Sequence, residues 1–279
     1  MQTGDARHFQ IGALALLLGL GILFFGFQVT LERAALNLAV AVAAQALFAL
    51  IFRTRFDARS PLITGLSLSL LLRTNDPLIA AGAAVAAIAS KYLIRVRGKH
   101  IFNPAAFGIV AALILTEGAW VSPGQWGTEL WLGFLCLCLG GLVLFSAARL
   151  DIALAFLGAY GGLLLARALW LGDPLAIPLH QMQSGALLLF AFFMITDPRT
   201  TPVTVTGRIL FACLTALLAV GMRFLFYIPE AIFYALFLMA PLTPLIDRLL
   251  PGDPHNWAIP KSSPGKEVFH AEKTEPSPS

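Results

Sequence analysis

Apolar runs near 20 residues long recur along this chain, and no other feature narrows its choice of folds so far. A helix of that length crosses a hydrocarbon core of about 30 Å. In lipid the backbone finds no water to bond, so each such run must close its hydrogen bonds within itself. With 12% charged and 58% hydrophobic residues, the chain carries about half the charge of a soluble domain, and its mean hydropathy is +0.81. The expected class is an all-α polytopic membrane protein with the lipid bilayer as its first partner. The opening segment, MQTGDARHFQ, holds Asp5 and Arg7, and no small-residue cleavage site follows the first run. That run is therefore expected as a retained helix, not a signal peptide.

Two apolar segments are too short to cross, and they match each other. Residues 63–77 read ITGLSLSLLLRTNDP, and residues 182–198 read MQSGALLLFAFFMITDP. Each has a hydroxyl residue and a glycine (Thr64-Gly65, Ser184-Gly185), an apolar stretch, and a polar residue before Asp-Pro (Asn75-Asp76-Pro77, Thr196-Asp197-Pro198). Gly- and Pro-interrupted segments at matching positions in two halves point to a midplane site in a repeat-built membrane protein.

In order, helices are expected over 11–29 and 34–52, a half-helix over 61–72, a helix over 78–94 and one starting at Pro104. After a turn-rich loop come helices over 129–145 and 152–170, a second short segment over 182–196, and helices over 205–226 and 230–250. The organisation is thus a first five-helix repeat (1–117), a short connection (118–128), a second five-helix repeat (129–250) and a disordered tail (251–279) rich in Pro, Ser, Lys and Glu. With the N-terminus inside, only Arg33, Arg73, Arg167 and Arg223 fall near the outer face, against fifteen basic residues on the inner one. That bias orients the chain with both termini cytoplasmic. It also accounts for the net charge of +4 without a nucleic-acid partner. Five passes per half is odd, so the second repeat is inverted: about ten transmembrane segments, two of them short and broken.

Gly65 and Gly185 admit close approach by a backbone or a flat ligand. Thr64 and Ser184 suit capping of the short helices that follow. Asp76 and Asp197, each before proline, suit turns. If both half-helix starts face one midplane site, their positive ends and hydroxyls can bind a polar or anionic group. No acidic residue lies well inside an expected helix, and none of the five histidines is mid-helix. This argues against a carboxylate proton relay and a bis-histidine haem within the bundle. The three cysteines have no metal-site spacing, so no metal is expected, and no hydrolase constellation is present.

One stretch, Lys91-x-Leu93-x4-Gly98-x3-Phe102-Asn103-Pro104-Ala105, closely resembles a loop and helix start in the D subunit of the Rnf electron-transport complex. The B subunit of the sodium-translocating NADH:quinone reductase has a similar stretch. A second, from His180 through Ser184-Gly185-Ala186 and Ala191-Phe192-Phe193 to Ile195-Thr196-Asp197-Pro198-x-Thr200, looks like that family's other signature. The resemblance runs on through Gly207-Arg208 and Pro244-Leu245-Ile246-Asp247. It implies two inverted five-helix repeats, similar to urea-transporter architecture, in a bacterial inner-membrane subunit that carries electrons beside other subunits, coupled to ion transport.

It also implies a flavin. Covalent FMN is not expected, because family members esterify it to a threonine in a long loop between helices five and six. Here that loop is short, with Ser122 and Thr128 its only hydroxyls near the tip, and Leu187, which follows Ser184-Gly185-Ala186, has no oxygen. Glycines of the family's first loop are also replaced, at Arg95 and Val96. The expectation is a non-covalent flavin, FMN or riboflavin, held between the repeats with Thr64, Gly65, Asn103, Ser184, Gly185 and Asp197 as the binding residues and no catalytic side chain. Two alternatives use the same fold without redox chemistry: a channel or carrier for a small polar solute, and an anchoring subunit with a vestigial site.

Overall fold

The structure, a computed structural model, describes residues 6–24, 27–96, 98–122, 138–143 and 149–252. Most of the expected helix over 129–145, most of the connecting loop, Thr128 and nearly all of the tail lie outside the described residues.

Among the described residues, five helical spans are long and apolar enough to cross a membrane. They are α1 (Ala6–Phe24), α2 (Leu31–Ile51), α6 (Leu150–Leu171), α9 (Val205–Leu225), and a last span made of α10 (Ala231–Met239), a 3-10 turn (Ala240–Leu242) and α11 (Thr243–Leu249). A bent pair, α7 (Ala176–Met182) and α8 (Gly185–Leu189) with its π-helical extension Phe190–Met194, raises the number to six. Shorter helices are α3 (Arg59–Leu71), α4 (Pro77–Leu93) and α5 (Pro104–Leu115).

Local chemistry sets these limits. Thr30, Asp76, Asn103 and Thr204 each accept a first-turn N–H of α2, α4, α5 and α9, satisfying a donor that the helix leaves open. Pro77 and Pro104 follow two of those caps, where a missing N–H costs nothing. The left-handed Gly172 (φ 74°) ends α6. The expected single helix over 230–250 is interrupted because Pro241 and Pro244 cannot donate into its ladder.

Burial is inverted relative to a soluble bundle. Only 28–39% of the apolar windows of α1, α2, α6 and α9 is buried, and their outward leucines suit lipid. The two short segments form the centre instead: every residue from Thr64 to Arg73, and from Gly185 to Thr196, is buried. Backbone that stops at membrane depth must lie against protein. Small residues let helices close on this centre. A Cβ on Gly65 would lie 3.0 Å from Leu38 Cα, and one on Gly108 would lie 2.5 Å from the Ala83 carbonyl. These are the close α2/α3 and α4/α5 crossings.

The structure corrects three expectations. α3 begins at Arg59, so Thr64-Gly65 lies within it instead of ahead of it. Thr64 therefore caps nothing; its hydroxyl donates to the Ser60 carbonyl at 3.0 Å. The chain is not purely α: β1 (Leu72–Thr74) pairs antiparallel with β4 (Ala119–Val121), and β2 (Arg95–Val96) with β3 (Lys99–His100). The first ribbon takes over backbone pairing where α3 stops, and Gly98 (φ 81°) turns the second.

Candidate functional site

α4 separates the two Asp-Pro turns. Asp76 caps its start, accepting the Leu78 N–H at 2.8 Å, whereas Lys91 in its last turn shares a cavity with Asp197. The turns thus lie at opposite ends of a 17-residue helix, about 25 Å apart along its axis.

The cavity has a volume of about 390 Å³. Its wall is contributed by both halves: Ser60, Thr64 and Ser67 of α3, Gln10 of α1, Gln45 of α2 and the start of α5 from one side, Phe192, Phe193, Thr196 and Asp197 from the other. Asn103 joins them. Its carboxamide oxygen accepts the Ala106 N–H at 3.1 Å, and its nitrogen donates to the Met194 carbonyl at 3.2 Å. The neighbouring carbonyls at this helix end are met in the same way, Phe193 by Gln10 (3.3 Å) and Phe192 by the Thr196 hydroxyl (2.8 Å).

Lys91 is half-buried in the wall, donating to Ser60 Oγ at 2.7 Å and Gln45 Oε1 at 2.8 Å. Gln45 also donates to the Tyr92 hydroxyl at 2.7 Å, which fixes its orientation. Buried His100 has its Nε2 3.9 Å from Asp197 Oδ2, too far for a hydrogen bond but close enough for charge to matter. Burial, the largest influence on Asp197, pushes its pKa up; His100 and Arg199 outweigh it and hold the group below the ordinary carboxylate value. Asp57, bonded by Arg59 and Arg7 at 2.8 Å each, is held at about 2, chiefly by the Arg59 hydrogen bond.

Of the six residues expected to bind a cofactor, Thr64, Asn103 and Asp197 line this cavity. Gly65 faces the α2 backbone. Ser184 caps α8, accepting the Leu187 N–H at 3.5 Å, and Gly185 is the buried first residue of that helix. These two sit at the far end of the segment from Asp197: α8 presents its C-terminal end to the cavity, α3 its N-terminal half. Lys91, Gln45, Ser60, Arg95 and Arg199 went unselected as site residues. Gln45, a polar residue within an apolar run, was the visible signal.

Lipid-facing long helices around two buried half-spans, with a basic cavity between them, define a multi-pass membrane protein with an internal polar site. The chain belongs to the NQR2, RnfD, RnfE family, whose model matches residues 121–254. It is 31% identical over 260 aligned residues to the D subunit of the ion-translocating oxidoreductase complex of Stutzerimonas stutzeri, covering 68% of this chain and 73% of that protein. Over 238 residues it is 27% identical to the D subunit of the proton-translocating ferredoxin:NAD(+) oxidoreductase complex of Clostridium ljungdahlii, covering 68% and 72%. A shorter match, 38% over 127 residues, is to the D subunit of the Klebsiella pneumoniae ion-translocating oxidoreductase complex, 44% of this chain and 34% of that one.

Proposed function

We propose that this chain is the membrane subunit of an electron-transport complex of the Rnf/Nqr type. In this reading it spans a bacterial inner membrane about ten times as two inverted five-helix repeats, with both termini cytoplasmic, and passes electrons through a non-covalent flavin held between the repeats beside partner subunits. The observation that carries the reading is the cavity shared by the two halves, in a chain whose relatives are named as oxidoreductase complex subunits.

The residues present fit such a group. The volume lies in the range of small-molecule pockets. Phe192, Phe193, Tyr92 and Ile63 supply apolar and aromatic wall, while Asn103, Thr64, Ser67 and Gln45 supply polar atoms. When bound, a flavin supplies a carrier that takes and releases single electrons. Asn103 holds the end of α8 against α5, and Lys91 places a positive charge in the wall. Leu187 is 3% exposed and offers no ester oxygen, in keeping with a non-covalent cofactor.

The test is to purify the protein after co-production with the products of its neighbouring genes. Flavin released by denaturation supports the reading, and its absence overturns it. The polar wall beside the broken spans keeps a second reading in play, a channel or carrier for a small polar solute. Redox-independent uptake of urea-sized solutes into proteoliposomes would favour that one.

A further inference from the structure

The two halves differ at one matched contact. Counting back from the two Asp-Pro turns, Ser69 corresponds to Phe190 and Arg73 to Met194. Counting from the starts of α2 and α6, Arg33 corresponds to Ile152 and Asn37 to Phe156. In the second half the contact is apolar: the Phe156 and Phe190 rings lie 5.0 Å apart, and Ile152 and Met194 are buried. In the first half it is polar and charged. Asn37, only 2% exposed, donates to Ser69 Oγ at 3.1 Å, and that hydroxyl donates to the Gly65 carbonyl at 2.8 Å. Buried Arg73 donates through Nη1 to the Ser69 and Leu72 carbonyls at 2.8 and 3.2 Å. Arg33, one turn from Asn37 on α2, donates through Nη2 to the Asn75 carbonyl at 3.0 Å.

Among the described residues, two buried side-chain atoms have no hydrogen-bond partner, and both belong to this group: Arg33 Nη1, a donor, and Asn37 Oδ1, an acceptor. Neither guanidinium has an ion pair among the described residues. Of the acids adjacent in sequence, Glu32 is exposed, and Asp76 accepts the Leu78 N–H at the start of α4. The open carbonyls at the end of α3 account for Arg73. They do not account for Arg33, which lies in the first turn of α2, where the helix dipole disfavours a cation. Nor do they explain an amide oxygen buried without a donor. A bridging water satisfies both bare atoms and leaves two guanidinium charges uncompensated.

We propose that the last turn of α3 and the facing side of α2 bind a small oxyanion that carries a proton, hydrogencarbonate or hydrogenphosphate. Its charged oxygens accept from Arg33 and Arg73, and its O–H donates to Asn37 Oδ1. Forked guanidinium donors match the edge of such an anion. Chloride and acetate match the charge and lack the proton. The site lies at the opposite end of α3 from the cavity described above and is independent of any cofactor there.

The experiment follows thermal unfolding of the purified full chain, in nanodiscs of zwitterionic lipid at mildly alkaline pH, where both anions keep one proton. Hydrogencarbonate, phosphate, acetate and chloride are titrated at matched ionic strength. A saturable rise in the midpoint of about 5 °C is expected at a hundredfold excess of the bound oxyanion over its dissociation constant. A response to one of the two oxyanions alone identifies which is bound. Arg33→Gln is expected to weaken the response roughly tenfold or more. Asn37→Asp supplies the negative charge from the chain itself, so it is expected to lose the response with a midpoint no lower than that of the natural chain without the anion. Equal stabilisation by acetate or chloride overturns the proton-bearing ligand. A rise that persists in both variants is a general salt effect and overturns the site. No stabilisation by either oxyanion leaves water as the bridge and overturns the proposal.

Discussion

Asn103 holds the Met194 carbonyl at 3.2 Å, and through that bond the start of α5 is fixed to the end of the second broken segment, 91 residues further on. The segment needs such partners because its last turn is π-helical, with Ile195 N–H reaching back to Phe190. A helix that stops inside protein leaves its final carbonyls without intrahelical donors. Gln10, Asn103 and Thr196 supply them.

Replacing Asn103 by Ala removes both the α5 cap and the only side-chain donor to Met194 among the described residues. The expected loss is about 1–3 kcal/mol, from the cap and one of the two donors to Met194, since the Asp197 N–H still reaches that carbonyl at 3.3 Å. Asn103→Asp keeps the cap but not the donor and recovers only part of it. Thermal unfolding in detergent reads the order wild type, Asp, Ala; an Ala variant as stable as wild type would refute this role.

Asp76 and Asp197 lie at opposite ends of α4, and the inverted arrangement proposed above puts their turns on opposite sides of the bilayer. In a variant without the natural cysteines, Asn75→Cys is expected to react with an impermeant maleimide from outside intact cells. Arg199→Cys is expected to react only after the cytoplasmic face is opened. Labelling of both from one side would remove the inverted arrangement.

At Gly108, even a Cβ would come within 2.5 Å of the Ala83 carbonyl and 2.9 Å of Ala87 Cβ. Gly108→Leu forces α4 and α5 apart and is expected to cost about 1–3 kcal/mol or more. Gly82 has open space around its Cβ position, so Gly82→Leu serves as the control and leaves the melting temperature nearly unchanged.

Asp57 titrates at about 2 instead of 3.8. Its folded pKa is depressed, so the stability it contributes is whole above about pH 3.8 and is lost as pH falls through about 2. Asp57→Asn is expected to lower stability at neutral pH by about 1 kcal/mol or less, since the pair is partly exposed. Melting curves of the two proteins should converge toward pH 2, and a gap that persists there would rule out the linkage.

The apolar character, most helix positions among the described residues and the two anomalous segments were legible in the residues, though α1 starts five residues before the expected run, because run length and interrupted hydrophobicity are local properties that lipid tests directly. Ser184 was legible as the cap of a short helix in the same way, since a cap bonds within its own first turn, whereas Asp76, expected only as a turn residue, also caps α4. Tertiary packing decided what no window of sequence contains. It set Gly65 against α2 instead of a ligand and gave Thr64 a bond inside α3. It also paired β1 with β4 across 45 residues and brought Lys91, Arg95 and Arg199 to one cavity. These are long-range outcomes of backbone groups and charges that must find partners once water is excluded, and which partner each finds depends on where the whole chain comes to rest.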